Sequence, residues 1–239
     1  MSNIIKISLI VGHDNDSRGA KAYDGTSEFI FNDKVAKLVM AEFEDDLEFQ
    51  VDVFKKDGLD YSQIDDIYKQ RGGMDLSMEL HFNSYYKPAF GQEMLVLKDD
   101  IGSQKVAKKF CKKMNSLNGI TLRHDEGVFP IGTHSRGGVC LRNIHHADYV
   151  MLYEPAFCNT SNLDSVKIIG NPEWYAKHIA ASLRSIFESE GLKSEITLEY
   201  EEMKKDLALY KTQNFELKAE TDKMRRAFEA MIEIAEDFA

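Results

Sequence analysis

The stretch Met78-Glu79-Leu80-His81-Phe82-Asn83-Ser84 decides the fold of this chain. Its residues up to Phe82 alternate between apolar and polar, and this period of two is typical of a β-strand with two unlike faces. The polar pair Asn83-Ser84 ends the strand. His81 is therefore expected at the carboxyl end of a strand, which is the edge where open α/β sheets bind their ligands. A single histidine there is more often structural, so its meaning depends on what else reaches that edge.

Similar strand patterns alternate with helical patterns over residues 1–190. Short apolar or alternating runs predict further strands at residues 4–11, 49–54, 92–97 and 149–153. Apolar residues spaced by three and four predict helices at residues 26–43, 60–72, 103–117 and 172–189, the first of them capped by Thr26 or Ser27. Residues 118–138 are rich in glycine and are expected to form a long loop. This alternation predicts an α/β fold, with a mostly parallel sheet and helices on both faces.

The remaining residues, 191–239, have a different composition. No glycine or proline follows Gly191, and apolar positions recur at alternating steps of four and three from Ile196 to Phe238. This heptad pattern predicts a C-terminal coiled-coil helix. The charges beside the seam attract one another in a parallel assembly, so we expect a parallel homo-oligomer through residues 196–238, with Asn214 fixing its register. The alternative is a long helix that folds back on its own globular domain.

Composition excludes several classes of function. The formal net charge of −10 argues against a nucleic-acid or anionic-membrane partner. The three cysteines form no CxxC pair, which fits a reducing compartment and offers no thiolate metal site. No apolar run approaches the roughly 20 residues of a membrane span. Residues 1–12 are interpreted as a first strand and not as a signal peptide, so the protein is expected to be made in the cytoplasm.

Candidate metal ligands gather at the same predicted sheet edge as His81. His13 follows the first strand, Glu28 lies on the inward face of the helix after it, and Glu154 ends the last core strand. Two histidines, one glutamate and an open position form the ligand set of a catalytic zinc, and a further carboxylate can act as general base. Spacing alone does not single these residues out, because the chain has seven histidines and 40 acidic residues.

Six short motifs, taken in order, resemble the type-3 N-acetylmuramoyl-L-alanine amidases over roughly residues 4–189. They are Gly12-His13 followed by Ser17-Arg18-Gly19-Ala20, then Gly25-x-x-Glu28-x-x-x-Asn32, Leu80-His81-Phe82-Asn83-Ser84, Gly91-x-Glu93, Val139-x-Leu141-Arg142, and Leu152-x-Glu154-x-x-Phe157-x-Asn159. Members of that family are zinc-dependent enzymes of cell-wall turnover and of phage endolysins.

The resemblance implies that His13, Glu28 and His81 bind one zinc ion and that Glu154 is the catalytic carboxylate. The reaction implied is hydrolysis, by zinc-activated water, of the amide between N-acetylmuramic acid and the L-alanine of the stem peptide. Peptidoglycan would be the partner of a catalytic domain spanning residues 1–190, and an endolysin-like enzyme would reach the wall after release from the producing cell. Candidate substrate contacts are Asn83, Arg142 and His145.

Two other interpretations stay open at this stage. Another zinc hydrolase on an α/β sheet, such as a carboxypeptidase-like enzyme, would share the ligand types, but the HxxE ligand pair expected of that class is absent from the sequence. An inert amidase-like virion or scaffold protein could act through its coiled coil alone. The presence of all four candidate site residues argues against the inert protein.

Overall fold

The computed structural model describes residues 4–87, 89–135 and 137–187. The predicted coiled coil at 191–239, and the homo-oligomer predicted from it, lie outside these residues. The strands are β1 (Ile5–Val11), β2 (Phe49–Lys55), β3 (Met74–Leu80), β4 (Glu93–Leu97), β5 (Val128–Ile131) and β6 (Ala147–Glu154). The helices are α1 (Glu28–Ala41), α2 (Tyr61–Gln70), α3 (Ile101–Asn118), α4 (Gly138–Asn143), α5 (Leu163–Ile169) and α6 (Pro172–Phe187).

The strands form one six-stranded sheet in the order β2-β1-β3-β6-β4-β5. Strands β2, β1, β3 and β6 pair in parallel, as expected for strands joined through helices. Strand β4 runs antiparallel to β6, and β5 is parallel to β4. The predicted α/β class with a mostly parallel sheet is therefore confirmed. The reversal of β4 and β5 was not predicted.

Helices cover both faces of the sheet, as the sequence predicts. On one face the larger core includes Phe31 of α1, Phe110 of α3 and Ile179 of α6. On the other face a smaller core includes Tyr68 of α2 and Leu141 of α4. Because both faces are covered, the central strands are buried on both sides. No helix among the described residues is long and apolar enough to cross a membrane.

Two polar residues that alternate along β3 are buried, unlike those of a strand with one face in water. Leu76, Met78 and Leu80 enter the larger core. Ser77 and Glu79, on the opposite face, are 0% and 1% exposed. Buried polar groups need partners, and Ser77 finds one in the hydroxyl of Tyr68, 3.0 Å away. That hydroxyl also contacts the hydroxyl of Ser8 on β1. The polar face of β3 is therefore an internal hydrogen-bonded layer beneath α2.

The predicted elements occur within a few residues of their expected bounds, and three short elements were missed. Strand β5 lies within residues 118–138, where the sequence predicts only a loop, and α4 begins at the end of that stretch. Helix α5 was also not predicted. All three have seven residues or fewer, too few to establish a clear period.

Candidate metal centre

Three neighbouring strands bring their ends to one site. Strands β1, β3 and β6 are adjacent and parallel, so their carboxyl ends share one edge of the sheet. His81 directly follows β3, and its backbone N–H donates to the carbonyl of Tyr153 at 3.0 Å. The N–H of Gly12 donates to the carbonyl of Leu80, also at 3.0 Å. These two bonds extend the sheet ladder by one residue and fix the position from which His13 and His81 project.

Glu28 is the first residue of α1 and its side chain points into the protein, as the sequence predicts. It is 3% exposed. One carboxylate oxygen, Oε2, accepts from the backbone N–H of Ala20 at 3.0 Å, and the other, Oε1, accepts from that of Phe82 at 3.0 Å. The predicted side-chain cap is absent: Ser27 occupies the N-cap position but forms no cap hydrogen bond. The backbone therefore fixes the Glu28 carboxylate between the loop after β1 and the end of β3.

Two imidazole rings meet this carboxylate. His13 Nε2 lies 3.2 Å from Glu28 Oε2, and His81 Nδ1 lies 2.8 Å from Glu28 Oε1. One ligand atom from each of the three residues lies within 4.8 Å of the other two. His13 has a φ of 67°, an uncommon value for a residue other than glycine and one that often marks a functional site. The structure thus brings together the three residues predicted as metal ligands.

Two glycines leave room for the rings. A Cβ at Gly19, whose φ is +71°, would lie 2.4 Å from His13 Cδ2 and 2.7 Å from Glu28 Oε2. A Cβ at Gly12 would lie 2.7 Å from the His81 ring and 2.5 Å from the carbonyl oxygen of Leu80. Any side chain at either position would displace a candidate ligand. The absence of a side chain at Gly12 and Gly19 therefore lets the backbone pack directly against the candidate ligands.

Glu28 and His81 each stabilise the ionised form of the other. Burial raises the pKa of Glu28, but the hydrogen bonds to His13 and His81 outweigh it and lower this pKa to about 2. Burial lowers the pKa of His81, but the carboxylate of Glu79 and the hydrogen bond to Glu28 raise it to about 10. In the metal-free protein at neutral pH, His81 therefore carries a proton that a metal ion must displace.

Glu154 stands beside this group. The parallel register pairs Leu80 with Tyr153, so His81 and Glu154 are the next residues of two adjacent strands. Residues at equal register in neighbouring strands project to the same side of the sheet. Glu154 is half-buried and borders the same cleft as the three candidate ligands. The predicted catalytic carboxylate thus has access to the space above the donor atoms.

A second carboxylate faces Glu154 from the reversed strand. Glu93 of β4 pairs with Glu154 across the sheet and is 6% exposed. It accepts from Arg123 Nε at 3.0 Å, approaches His124 Nε2 at 2.6 Å and accepts from the amide of Asn83. The predicted substrate contact Asn83 therefore lies in the cleft, oriented by Glu93. Arg123, which lies in the loop predicted at residues 118–138, was not predicted as a site residue.

The other two predicted substrate contacts are elsewhere. His145 precedes β6, so roughly 30 Å of extended chain separates it from Glu154. Its backbone N–H donates to Asp65 at 2.6 Å, at the amino-terminal edge of the parallel strands. Arg142, on α4, donates from Nη1 to the carbonyl of Thr133 at 2.7 Å and does not border the cleft. The structure does not bring these two residues to the metal centre.

The cleft above the candidate ligands has a volume of about 680 Å³. One wall carries His13, Glu28 and His81, and the opposite wall carries Glu93 with the half-exposed side chains of Phe129 and Val139. Phe129 stacks on the ring of His124, with centroids 4.2 Å apart and planes 7° from parallel. A wall with the three candidate metal ligands thus faces a partly apolar wall across a space large enough for a small-molecule or peptide segment.

The fold and the site together define a class, an α/β protein with the His–Glu–His donor set that catalytic zinc ions use. A sequence model of the family described as N-acetylmuramoyl-L-alanine amidase matches residues 7–188, which is most of the chain. The chain therefore belongs to the N-acetylmuramoyl-L-alanine amidase family, and the resemblance found in the sequence is confirmed. Comparison with curated proteins gives no match.

Solved structures of amidases share the fold. An N-acetylmuramoyl-L-alanine amidase from Clostridium difficile 630 aligns with a TM-score of 0.64 and 18% identity, over 80% of this chain and 100% of that one. The catalytic domain of an amidase from Bacillus (Paenibacillus) polymyxa var. colistinus gives 0.61 and 17%, over 75% and 96%. The catalytic domain of an endolysin targeting Clostridia difficile gives 0.56 and 22%, over 75% and 97%. At these identities the alignments establish a common fold.

Proposed function

We propose that this protein is a zinc-dependent hydrolase that cleaves the amide between the lactyl group of N-acetylmuramic acid and the L-alanine of the stem peptide. The observation that carries the proposal is the convergence of His13, Glu28 and His81, whose donor atoms lie within 4.8 Å of one another in a cleft. Membership of the amidase family supplies the substrate class.

The residues present suit zinc in particular. Two imidazole nitrogens and one carboxylate are the ligand set of catalytic zinc sites, which keep a fourth position open. Any side chain in place of Gly12 or Gly19 would displace one of the three candidate ligands. His13, Glu28 and His81 would hold the ion, and Glu28 would be kept in place by the N–H groups of Ala20 and Phe82. Zinc, when bound, lowers the pKa of water and polarises a carbonyl oxygen.

Glu154 performs the proton transfers of the proposed reaction. Its carboxylate takes a proton from the attacking water as the new C–O bond forms at the amide carbon. The same carboxyl group then gives that proton to the departing nitrogen as the C–N bond breaks. The products are a free lactyl carboxylate and a free α-amino group on L-alanine. One group with access to the cleft can serve both steps because the proton returns to the substrate.

The walls of the cleft suit a substrate that is part sugar and part peptide. Phe129 and Val139 provide apolar surface against which a sugar ring or the alanine methyl can pack. Asn83, oriented by Glu93, remains our candidate for a polar contact to the substrate. No contact among the residues that the structure describes supports a substrate role for Arg142 or His145.

Peptidoglycan is a polymer, so an oligomer with several catalytic domains would bind it more tightly than a single domain. A parallel oligomer through residues 196–238 would place several catalytic domains on neighbouring stem peptides and raise avidity without new contacts. An endolysin-like role is supported by the similarity to an endolysin catalytic domain. Mixing tagged and untagged chains tests the oligomer: co-purification of the untagged chain is expected, and its absence contradicts the oligomer.

The experiment that tests the function measures zinc and product together. Zinc per chain, loss of turbidity and newly exposed N-terminal L-alanine are followed on purified peptidoglycan for the wild type and His81→Ala. His178→Ala is the matched control, because His178 lies on α6 and hydrogen-bonds the carbonyl of Trp174. About one zinc per chain, with alanine ends released by the wild type and the control and not by His81→Ala, supports the proposal.

The other outcomes test the metal site and the substrate separately. Zinc binding without new alanine ends would keep the metal site and contradict the substrate. A wild type that binds no zinc and is unaffected by His81→Ala would contradict the catalytic role and favour an inert domain.

A further inference from the structure

Glu79 is a buried carboxylate that the proposed reaction does not use. It lies on β3 two residues before His81 and is 1% exposed, on the polar face of the strand. Burying an ionised carboxylate is costly unless it is paired and hydrogen-bonded. The contacts of this side chain therefore indicate what keeps a charge at the floor of the cleft.

Three side chains contact a single oxygen of this carboxylate, Oε1. Tyr61, the first residue of α2, donates its hydroxyl at 2.7 Å. Lys56, directly after β2, donates from Nζ at 3.0 Å and supplies the opposite charge. His81 Nε2 lies 3.2 Å from the same oxygen. Lys56 and Tyr61 thus hold Glu79 in place on one side, while its Oε1 also faces a candidate metal ligand.

The His81 ring is consequently held between two carboxylates. Nδ1 faces Glu28 at 2.8 Å, and Nε2 faces Glu79 at 3.2 Å. A neutral imidazole carries its one proton on either nitrogen, and the nitrogen that binds a metal must be the unprotonated one. Nδ1 is the atom that faces Glu28. Both carboxylates can only accept, but Glu28 is itself a candidate ligand of the metal ion. The imidazole proton therefore goes to Glu79 at Nε2, and Nδ1 is left for the metal ion.

We propose that Glu79 is a positioning residue for the metal centre: it accepts the Nε2–H of His81 and thereby fixes the ring and tautomer with Nδ1 directed at the metal. Lys56 and Tyr61 act one step further out by neutralising and orienting Glu79. This inference rests on the proposed zinc site. It deepens that site by assigning a buried layer of residues that supports one ligand.

The test removes the carboxylate without stranding its counter-ion. In the double variant Lys56→Met/Glu79→Leu both charges disappear together, so no unpaired buried ammonium is left. Glu79→Gln keeps the shape and one acceptor oxygen. Asp65→Asn is the matched control, because Asp65 is a buried carboxylate bound to His146 Nδ1 at 2.8 Å at the opposite edge of the parallel strands. Thermal melting of each metal-free variant reports whether it folds.

The first readout is the rate of zinc release into excess chelator. The rate is chosen because the equilibrium affinity also contains the proton that zinc displaces from His81. Loss of an outer partner of a ligating histidine typically weakens a metal site about 10- to 100-fold. We expect release from the double variant to be faster by roughly that factor, Glu79→Gln to lie in between, and Asp65→Asn to stay within about twofold of the wild type.

The second readout is the Nε2–H proton of His81 in the NMR spectrum of the zinc-loaded protein. In the wild type we expect a downfield resonance that exchanges slowly with water, because the proton is buried against a carboxylate. It should move upfield in Glu79→Gln and exchange faster in the double variant. A merely structural role for Glu79 would change the melting temperature and leave this resonance in place.

The outcomes separate this inference from the function on which it rests. Equal release rates together with an unchanged Nε2–H resonance would overturn the role of Glu79, while a wild type that binds zinc and releases alanine ends would keep the proposed function. A wild type that binds no zinc would overturn both. If the double variant fails to fold, Glu79→Gln alone decides, through the same two readouts.

Discussion

Two clusters of carboxylates and histidines lie at opposite edges of the parallel strands. They differ in the groups that contact the carboxylate oxygens. At the carboxyl edge, Glu28 faces the rings of His13 and His81. At the amino edge, one oxygen of Asp65 accepts the backbone N–H groups of His145 and His146, at 2.6 and 2.7 Å, and the other meets the His146 ring. Residue types and distances are alike in the two clusters.

The difference shows that convergence of several ligand atoms, and not residue type alone, distinguishes the candidate metal centre. Asp65 contacts one imidazole through Oδ2, and its Oδ1 accepts two backbone N–H groups, so it ties α2 to the start of β6. Glu28 has two imidazoles from two different strand ends and opens onto a cleft. A pair of adjacent histidines, as at His145 and His146, cannot supply this arrangement, because adjacent side chains on extended backbone point apart.

The largest effect is expected from an acid-to-amide change at the candidate metal centre. Glu28→Gln replaces a charged ligand with a neutral one, so we expect zinc to be lost at micromolar concentration and amidase activity to fall roughly 10³-fold or more. Metal analysis and release of alanine ends check this. Full activity with full zinc would show that Glu28 is a structural partner, as Asp65 is.

The next largest effect is expected at Glu154, the residue proposed to transfer protons. Glu154→Gln removes the proposed general base. General bases typically contribute about 10²- to 10⁴-fold, so we expect kcat to fall by that factor. Zinc content should stay at the wild-type level, since Glu154 is not among the three converging ligands. Loss of zinc in this variant would mean that Glu154 is a fourth ligand.

A third effect separates the clusters by pH. The pKa of His81 is about 10 in the metal-free protein, so zinc must displace a proton below that pH. We expect the zinc affinity to rise with pH by up to about tenfold per unit between pH 7 and 10. The elevated pKa has the opposite effect on metal-free stability. That contribution is complete below the unfolded value of about 6.5 and is lost as the pH rises through 10.

These two slopes are measured by zinc titration and by denaturant unfolding of metal-free protein over the same pH range. Both should persist in Asp65→Asn. An affinity that does not change between pH 7 and 10 would contradict a protonated His81 in the metal-free centre.

A smaller effect is expected at the structural cluster. Asp65→Asn leaves backbone donors with a weaker acceptor, so we expect the free energy of unfolding to fall by about 1–3 kcal/mol at pH 7. Activity per folded molecule should be unchanged. Burial raises the pKa of Asp65, but hydrogen bonds from the backbone N–H of His145 and from His146 lower it below its usual value. The stabilisation is therefore present above the unfolded pKa, and the difference from Asp65→Asn should shrink in acid.

The smallest effect is expected for His145→Ala. The sequence predicts a substrate contact here, whereas the residue lies at the edge away from the cleft and its side chain is exposed. An exposed substitution of this kind usually changes stability by no more than about 0.5 kcal/mol. KM on soluble muramyl peptides should stay at the wild-type value. A markedly raised KM would restore the substrate role predicted from sequence.

The sequence predicts where four candidate site residues lie, because their positions follow one rule. His13, His81 and Glu154 each come at or just after the end of a parallel strand, and Glu28 lies on the inward face of the next helix. Strand periodicity and the edge at which open sheets bind ligands are enough to bring them together. Their choice from among the other histidines and acids depended on the family resemblance.

The other residues around the cleft could not be predicted from the sequence, for physical reasons. Arg123 and His124 precede a strand, and such residues reach the carboxyl edge only because β4 and β5 run in the opposite direction. Glu79 occupies an alternating polar position, and periodicity cannot distinguish a buried hydrogen-bonded face from a wet one. Its partners Lys56 and Tyr61 come from another strand end and another helix.

The reversal of β4 has a consequence for how this protein can change over time. The candidate metal ligands lie on one side of the cleft, at the ends of β1 and β3 and the start of α1. The facing side includes the starts of β4 and β5, at Glu93 and Phe129. Because β4 and β5 form one edge of the sheet, insertions before β4 or β5 can reshape the facing side without shifting His13, Glu28 or His81. Relatives could thus inherit one reaction while diverging in the wall polymers they accept, and a designer could exchange the loop at residues 121–127 to retarget the enzyme.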